Sequence, residues 1–299
     1  MKKTISLLLS AIVLLLVGCN SNEPELGDVS KLDKSLGCLN GDFSVAKGKY
    51  VRFSMGNLQY IQSTKRWSFA ANQYDMIGWE NVRGDEFMND GIDVCKVGEP
   101  ADTIDMFCWG TGNNTTFAIP SYESTFADWG VNAISNGGNQ ANLWRTLTYE
   151  EWRYILLERP QAEQKCGVAV VNGVNGLILL PDNWKQPTGI NFKSGYYSDF
   201  PDGYGDSYVF FGDFYAEYQS FTLSEWQQME SAGAVFFPAV GVCNKSYISR
   251  VGWFGFYWTS TLYKDYTILC VFFSSYEKCC MTINYASMGS AVRLVQDVR

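Results

Sequence analysis

Between Phe236 and Tyr285 the chain places 14 aromatic residues in 50 positions, several of them in direct succession. Trp253-Phe254-Gly255-Phe256-Tyr257-Trp258 and Val271-Phe272-Phe273 carry the aromatic and β-branched bias of strands, yet a strand turns successive side chains to opposite faces. All of these rings can be buried only if their sheet is covered on both sides. Otherwise some of them line loops or an open face. The second outcome makes the stretch a recognition surface, because Tyr and Trp offer large contact area at low ordering cost. Six rings burying ~100 Å² each supply ~15 kcal/mol gross at ~25 cal/mol/Å². Association costs of ~4–15 kcal/mol reduce that to micromolar affinity or somewhat better.

Charge and composition narrow the partners. The 299 residues include no histidine, and 23 Lys and Arg against 31 Asp and Glu leave a net charge of −8. So acidic a chain has no electrostatic footprint for nucleic acid. Without histidine, Ser-His-Asp and Cys-His nucleophiles and His-ligated zinc are excluded. The N-terminus reads as a leader: Met1-Lys2-Lys3, an apolar run from Ile5 to Val17, then Leu16-Val17-Gly18-Cys19. This is a lipoprotein signal peptide over 1–18, with Cys19 as the lipidated residue. Residues 19–40, with Glu23, Glu25, Asp28 and Asp33, form a solvated tether. The location that follows is the outer membrane, lipid-anchored and surface-exposed. Eight further cysteines (Cys38, Cys95, Cys108, Cys166, Cys243, Cys270, Cys279, Cys280) allow 105 pairings, and no spacing singles one out. Several of them equally suit small apolar sites as reduced thiols.

Short strand-like runs occupy 50–54, 58–61 and 67–69, and residues 72–142 read as long loops pinned by Trp79, Trp109 and Trp129. Two helices carry capping boxes: Thr148 to Glu151 opens one over 148–159, stopped by Pro160, and Thr222 to Glu225 opens one over 222–232, ended by Gly233. A hairpin, 168–171 with 177–180, turns near Asn172-Gly173. An aromatic, Gly/Asp-rich excursion follows over 182–218, and later strands occupy 234–238, 256–260, 268–273, 279–284 and 291–295. The expected fold is a single α+β domain over 41–299 with its core in 141–299. Asp199, Asp202 and Asp206 superficially resemble a calcium loop but lack its register and closing glutamate. Glu150 and Glu151 sit where acids favour a helix dipole rather than as a glycosidase pair. No catalysis, metal or cofactor is expected.

Several motifs in this order carry a resemblance. They are Trp144-Arg145-Thr146-Leu147-Thr148 with Glu151-Trp152, Gly176 to Trp184, Ala234 to Gly241, Phe256-Tyr257-Trp258-Thr259-Ser260-Thr261, and Ala291 to Val295. Together they resemble the C-type-lectin-like domain of surface lipoproteins from gut anaerobes, related in fold to formylglycine-generating enzymes and to the variable proteins of diversity-generating retroelements. The resemblance covers roughly residues 43–299. It implies a C-type-lectin-like fold with two helices, short antiparallel strands and long loops. Cys279-Cys280 does not reproduce the cysteine arrangement of the formylglycine enzymes, so that activity is not carried over.

Retroelement variable proteins end in a segment in which asparagine codons are randomised. Such codons yield Phe, Tyr and Cys but never Trp, Met or Lys. On this reading 241–295 is the variable, ligand-binding segment. Its binding face comprises Val242, Cys243, Tyr247, Trp253, Phe254, Phe256, Tyr263, Tyr266, Tyr276, Cys279, Cys280 and Tyr285, with Trp253 a fixed member. The chain then reads as a surface adhesin. Its ligand is a protein or glycan on another cell, phage or host, and its membrane contact is through the N-terminal lipid. The alternatives are a fixed glycan-binding module, a fimbrial subunit and, last, an enzyme of the formylglycine-generating class.

Overall fold

A computed structural model describes residues 36–76, 94–96, 102–113, 126–198, 208–210, 219–244, 247–274 and 278–298. The balanced α+β, C-type-lectin-like architecture expected from the sequence is not what forms. Among the described residues strand accounts for 42% and helix for 14%, in five small sheets with two helices. Part of the difference lies in segments read as loops. Thr103–Ile104, Met106–Phe107, Tyr196–Ser198 and Tyr208–Phe210 are all strands. Strands of two or three residues are too short to show a period of two in sequence. The first helix, α1, is also shorter than its pattern suggests. Capped by Thr148 and Glu151, it is α-helical only over Tyr149–Arg153 and continues as a π-turn over Tyr154–Glu158. The second, α2, spans Leu223–Ser231 behind the Thr222 and Glu225 capping box.

The frame is set by a meander of three long antiparallel strands, Phe254–Lys264, Thr267–Ser274 and Lys278–Tyr285. Ser290–Ala291 and Met106–Phe107 extend it on one side, Tyr208–Phe210 and Tyr196–Ser198 on the other, into a seven-stranded sheet. A four-stranded sheet runs Ser220–Phe221, Cys166–Val171, Val174–Leu179, Val235–Pro238. A three-stranded sheet joins Phe43–Ala46 and Lys49–Phe53 to Val295–Asp297. A fourth pairs Leu58–Ile61 with Arg66–Phe69 and Thr103–Ile104, and a fifth is Val242–Asn244, Tyr247–Ser249 and Val94–Lys96. Leu39 already donates to the Phe53 carbonyl at 2.9 Å, so the chain joins its sheets just before residue 41.

Both faces of the meander are covered along its middle, which decides where the aromatic rings go. One face carries Tyr257, Val271, Phe273, Cys279 and Met281 into the main core, against Trp152 of α1, Phe53 and Phe237. There the rings meet edge to face, Phe237 with Tyr257 at 5.1 Å and with Phe53 at 5.4 Å. The opposite face sends Trp258, Ile268 and Cys270 into a second core with Leu58, Trp67, Phe107 and Trp129. Buried Trp258 donates its indole N–H to the Phe107 carbonyl at 2.6 Å, the partner that such a group needs away from water. The four-stranded sheet is likewise double-sided. Val168, Leu177 and Phe237 face the main core, while Ala169, Ile178 and Phe236 pack with Trp226 and Met229 of α2.

Candidate functional site

The meander leaves aromatic residues uncovered at its ends. At the far end Phe254–Lys264 turns into Thr267–Ser274 through Asp265 and Tyr266, with Asp265 at φ 52°. Register shifts near Leu262 bring Lys264 opposite Thr267, and the Thr267 hydroxyl donates to the Lys264 carbonyl at 2.6 Å. Ala286 N–H donates to the Tyr266 carbonyl at 2.8 Å, which ties the turn to the end of the third strand. Tyr285 stands opposite Thr267 there. Leu262, Tyr263, Tyr266 and Tyr285 are 52%, 58%, 47% and 63% exposed. One edge therefore shows three phenols and an isobutyl group on a turn braced by backbone hydrogen bonds.

The near end is built differently. Arg250 (φ 63°) and Gly252 (φ 78°) make the left-handed turn that precedes the first long strand. The Arg250 carbonyl accepts from both Trp253 N–H and Phe254 N–H at 3.0 Å, and Gly252 is held by Ala239 and Asn175. Trp253 is 49% exposed. Behind it Phe254, Phe256 and Phe272 form a half-buried ring cluster, with Phe254 and Phe256 at 5.2 and 5.0 Å from Phe272. The Arg250 guanidinium lies 5.3 Å from the Phe254 ring, within cation–π range. At about 3.3 Å per residue the two ends lie roughly 30 Å apart.

The structure thus divides the face read from sequence. Tyr263, Tyr266 and Tyr285 come together at the far edge; Trp253, Phe254 and Phe256 come together at the near end. Val242 is half-buried in the small sheet to which Tyr247 also belongs. Tyr276 and Cys19 lie outside the described residues, as do Asp199, Asp202 and Asp206.

Three positions expected on the binding face are corrected. Cys243, Cys279 and Cys280 are all buried. Cys243 is locked by a two-way backbone exchange with Gly289 at 2.9 and 2.7 Å. Cys279 and Cys280 do point to opposite faces, as adjacent strand residues must, but both faces are covered. Burial pushes the Cys243 thiol up to about 11 and holds Cys279 well above its ordinary value, so neither is a thiolate nucleophile near neutral pH.

Sequence reasoning missed Leu262, Phe272 and Arg250. The signal for Phe272 was present, since an aromatic two positions from Cys270 on a strand shares its face. The signal for Leu262 was not, because the irregular register around it breaks the alternation. Among the described residues no group of three His, Cys, Asp or Glu is placed to hold a metal ion. No described helix is long and apolar enough to cross a membrane. Glu151 is engaged by Arg145 at 2.8 Å and by the α1 cap. No family model matches the chain, and no curated protein or solved structure is significantly similar to it.

Proposed function

We propose that the protein is a lipid-anchored, outer-membrane, surface-exposed ligand-binding protein, an adhesin whose contact surface is the tyrosine edge at the far end of the meander. The observation that carries this reading is the joint exposure of Leu262, Tyr263, Tyr266 and Tyr285 at and beside one braced turn, while Tyr257, Trp258 and Phe273 of the same strands are buried. Exposed apolar groups gathered in one place mark interaction surfaces more often than scattered ones. Tyrosine suits the role because its ring supplies area and its hydroxyl keeps a partner in water or in the complex. The ligand is a protein or a glycan; Lys264 and Asp265 beside the rings give a sugar the polar neighbours that it needs.

The test uses the fluorophore-labelled protein against protein and glycan arrays, beside a Tyr263→Ala/Tyr266→Ala/Tyr285→Ala variant. Loss of each anchoring ring costs about 1–2 kcal/mol, so the triple variant should bind more than a hundredfold more weakly. A variant that binds like the native protein would sink the reading. Chelator sensitivity would mark a calcium-dependent lectin. The anchor is tested separately: Cys19→Ala should move the protein from the membrane to the soluble fraction.

Diversification of the segment is part of the proposal for exposed positions only. A randomised codon at Cys243, Cys279 or Cys280 would place arbitrary side chains in the core. Deep sequencing of codons 241–295 across a population should show former-adenine substitutions at Tyr263, Tyr266 and Tyr285, and invariance at buried positions. A uniform sequence throughout would leave a fixed binder.

A further inference from the structure

We infer a second binding site at the near end of the meander, where Arg250 receives a carboxylate and Trp253, with the phenylalanine cluster behind it, receives the apolar residue beside that carboxylate. The occupant is an acidic–apolar segment of another protein. The described arginines divide by what meets them. Arg52, Arg145, Arg153 and Arg159 are ion-paired, Arg293 is held by buried amides, and Arg66 is exposed. Arg250 is half-buried, and among the described residues its guanidinium meets the Phe254 ring and no carboxylate or amide. Lying on a ring leaves the N–H groups at the guanidinium's edge for a planar, bidentate acceptor. The backbone gives a second, independent observation. Arg250 stands at φ 63°, a conformation that a Cβ makes costly and that glycine or asparagine tolerates. The turn has no room to relax: a Cβ on Gly241 would run into the Ser249 carbonyl and the Val251 nitrogen, so the two backbones lie tight together. Gly252 N–H donates to the Ala239 carbonyl at 2.7 Å, and the Gly252 carbonyl accepts from Asn175 Nδ2 at 2.8 Å. Backbone strain of this kind gathers at ligand sites, and here it fixes a cation beside an indole that is 49% exposed.

The chemistry of the site selects its ligand. A carboxylate on one guanidinium in water gains little, so a free anion has no hold here. Apolar area must come with it, and Trp253, Phe254, Phe256 and Phe272 supply that area. Arginine and tryptophan are the side chains in which the binding energy of protein interfaces concentrates, and a turn already fixed in place lowers the ordering cost. The net charge of −8 repels polyanions at long range, whereas within a Debye length the local cation prevails. The segment that fits therefore carries one or two carboxylates next to a large apolar residue. This site lies at the opposite end of the meander from the tyrosine edge and does not depend on the reading given to that edge.

The probe is a fluorescein-labelled synthetic peptide with one glutamate between leucine and phenylalanine in a glycine–serine context, beside a twin in which glutamine replaces the glutamate. Each is titrated by fluorescence anisotropy with the full-length chain held in detergent. The glutamate peptide should bind saturably and about tenfold more tightly than its twin. Against Arg250→Gln the two peptides should bind alike, and Trp253→Ala should weaken both. The Tyr263→Ala/Tyr266→Ala/Tyr285→Ala variant should bind the glutamate peptide as the native chain does, so failure here and failure at the tyrosine edge are separate results. Absence of saturable binding by the native chain, an unchanged preference for glutamate in Arg250→Gln, or loss of the peptide in the tyrosine variant overturns the inference. So does Arg250-dependent binding to phosphatidylglycerol vesicles in place of the peptide, which would make the site a lipid contact. Melting supplies the control for folding. Arg250→Asn accepts the left-handed backbone and should keep the native melting temperature while losing the preference for glutamate. A drop of several degrees would mean that the guanidinium serves the fold, and would also overturn the inference.

Discussion

Arg293 is almost fully buried and is met by amides rather than by a carboxylate. Its two terminal nitrogens donate to Asn57 Oδ1 at 3.2 Å and Gln73 Oε1 at 2.6 Å, and its guanidinium lies 5.4 Å from the Phe237 ring. Gln73 passes the charge on to Glu230 through a 2.9 Å bond. Burial lowers this arginine to about 10, because the surrounding dipoles leave part of its desolvation uncompensated. Truncation with Arg293→Ala should cost about 3–5 kcal/mol in urea unfolding, since it leaves a cavity and breaks the network. Arg293→Met, which keeps the bulk, should lose less. The buried thiols make a second prediction at this scale. Burial raises Cys108 and Cys243 from 9 to about 11, so the reduced folded protein keeps protons that the unfolded chain gives up. Their contribution is fully present below pH 9 and is lost as pH rises through 11. Unfolding at pH 8, 9 and 10 should show stability falling, and Cys108→Ala/Cys243→Ala should flatten the slope. Little of this was legible in the sequence. Arg293 read as one letter of a strand, and although several thiols suited small apolar sites, which of them is buried depends on what covers its sheet.

At the scale of elements, legibility was high wherever backbone chemistry is local. Asn172 and Gly173 join Val171 to Val174 in a two-residue turn with φ of 49° and 83°, the positive values that a type I′ hairpin needs. Both capping boxes close as their spacing requires. Thr222→Ala, which removes the α2 cap, should cost about 1 kcal/mol. Local pattern failed where one residue's room is set by another strand. Gly255 sits opposite Phe273, and a Cβ there would run into the Phe273 ring. Gly255→Ala should push that ring out of the main core and cost about 1–3 kcal/mol, with a matching loss of near-ultraviolet circular dichroism. In sequence the glycine stands between two aromatics without comment; its missing Cβ lets an aromatic from the next strand lie across it.

Across the whole molecule, the same three strands feed both major cores, and this explains why the candidate site was only half readable. A one-sided sheet obeys alternation, and every second ring can be assigned to water. A sheet buried on both sides hides residues of either parity; among the described residues its exposed large side chains lie where strands end, at Leu262, Tyr263, Tyr266 and Tyr285, and at Trp253. The strand-like runs located the strands of the meander but not what covers them. Sharing strands also couples the cores energetically. Thermal unfolding should therefore run as one transition, with tryptophan fluorescence and far-ultraviolet circular dichroism coinciding; two separated midpoints would mean that the cores melt independently.

The closing strand sets a timetable as well. Lys49–Phe53 pairs on one side with Phe43–Ala46 and on the other with Val295–Asp297, and Arg145, in the segment leading into α1, bridges to Asp297. A chain made from its N-terminus carries that early hairpin with one edge open through some 240 residues of further synthesis. A hairpin alone is marginal in water, and contacts so distant in sequence form slowly. A protein stopped short of Val295 keeps an unpaired strand beside an unfinished core, a ready target for proteases, so the arrival of Val295–Asp297 is checked by the fold itself.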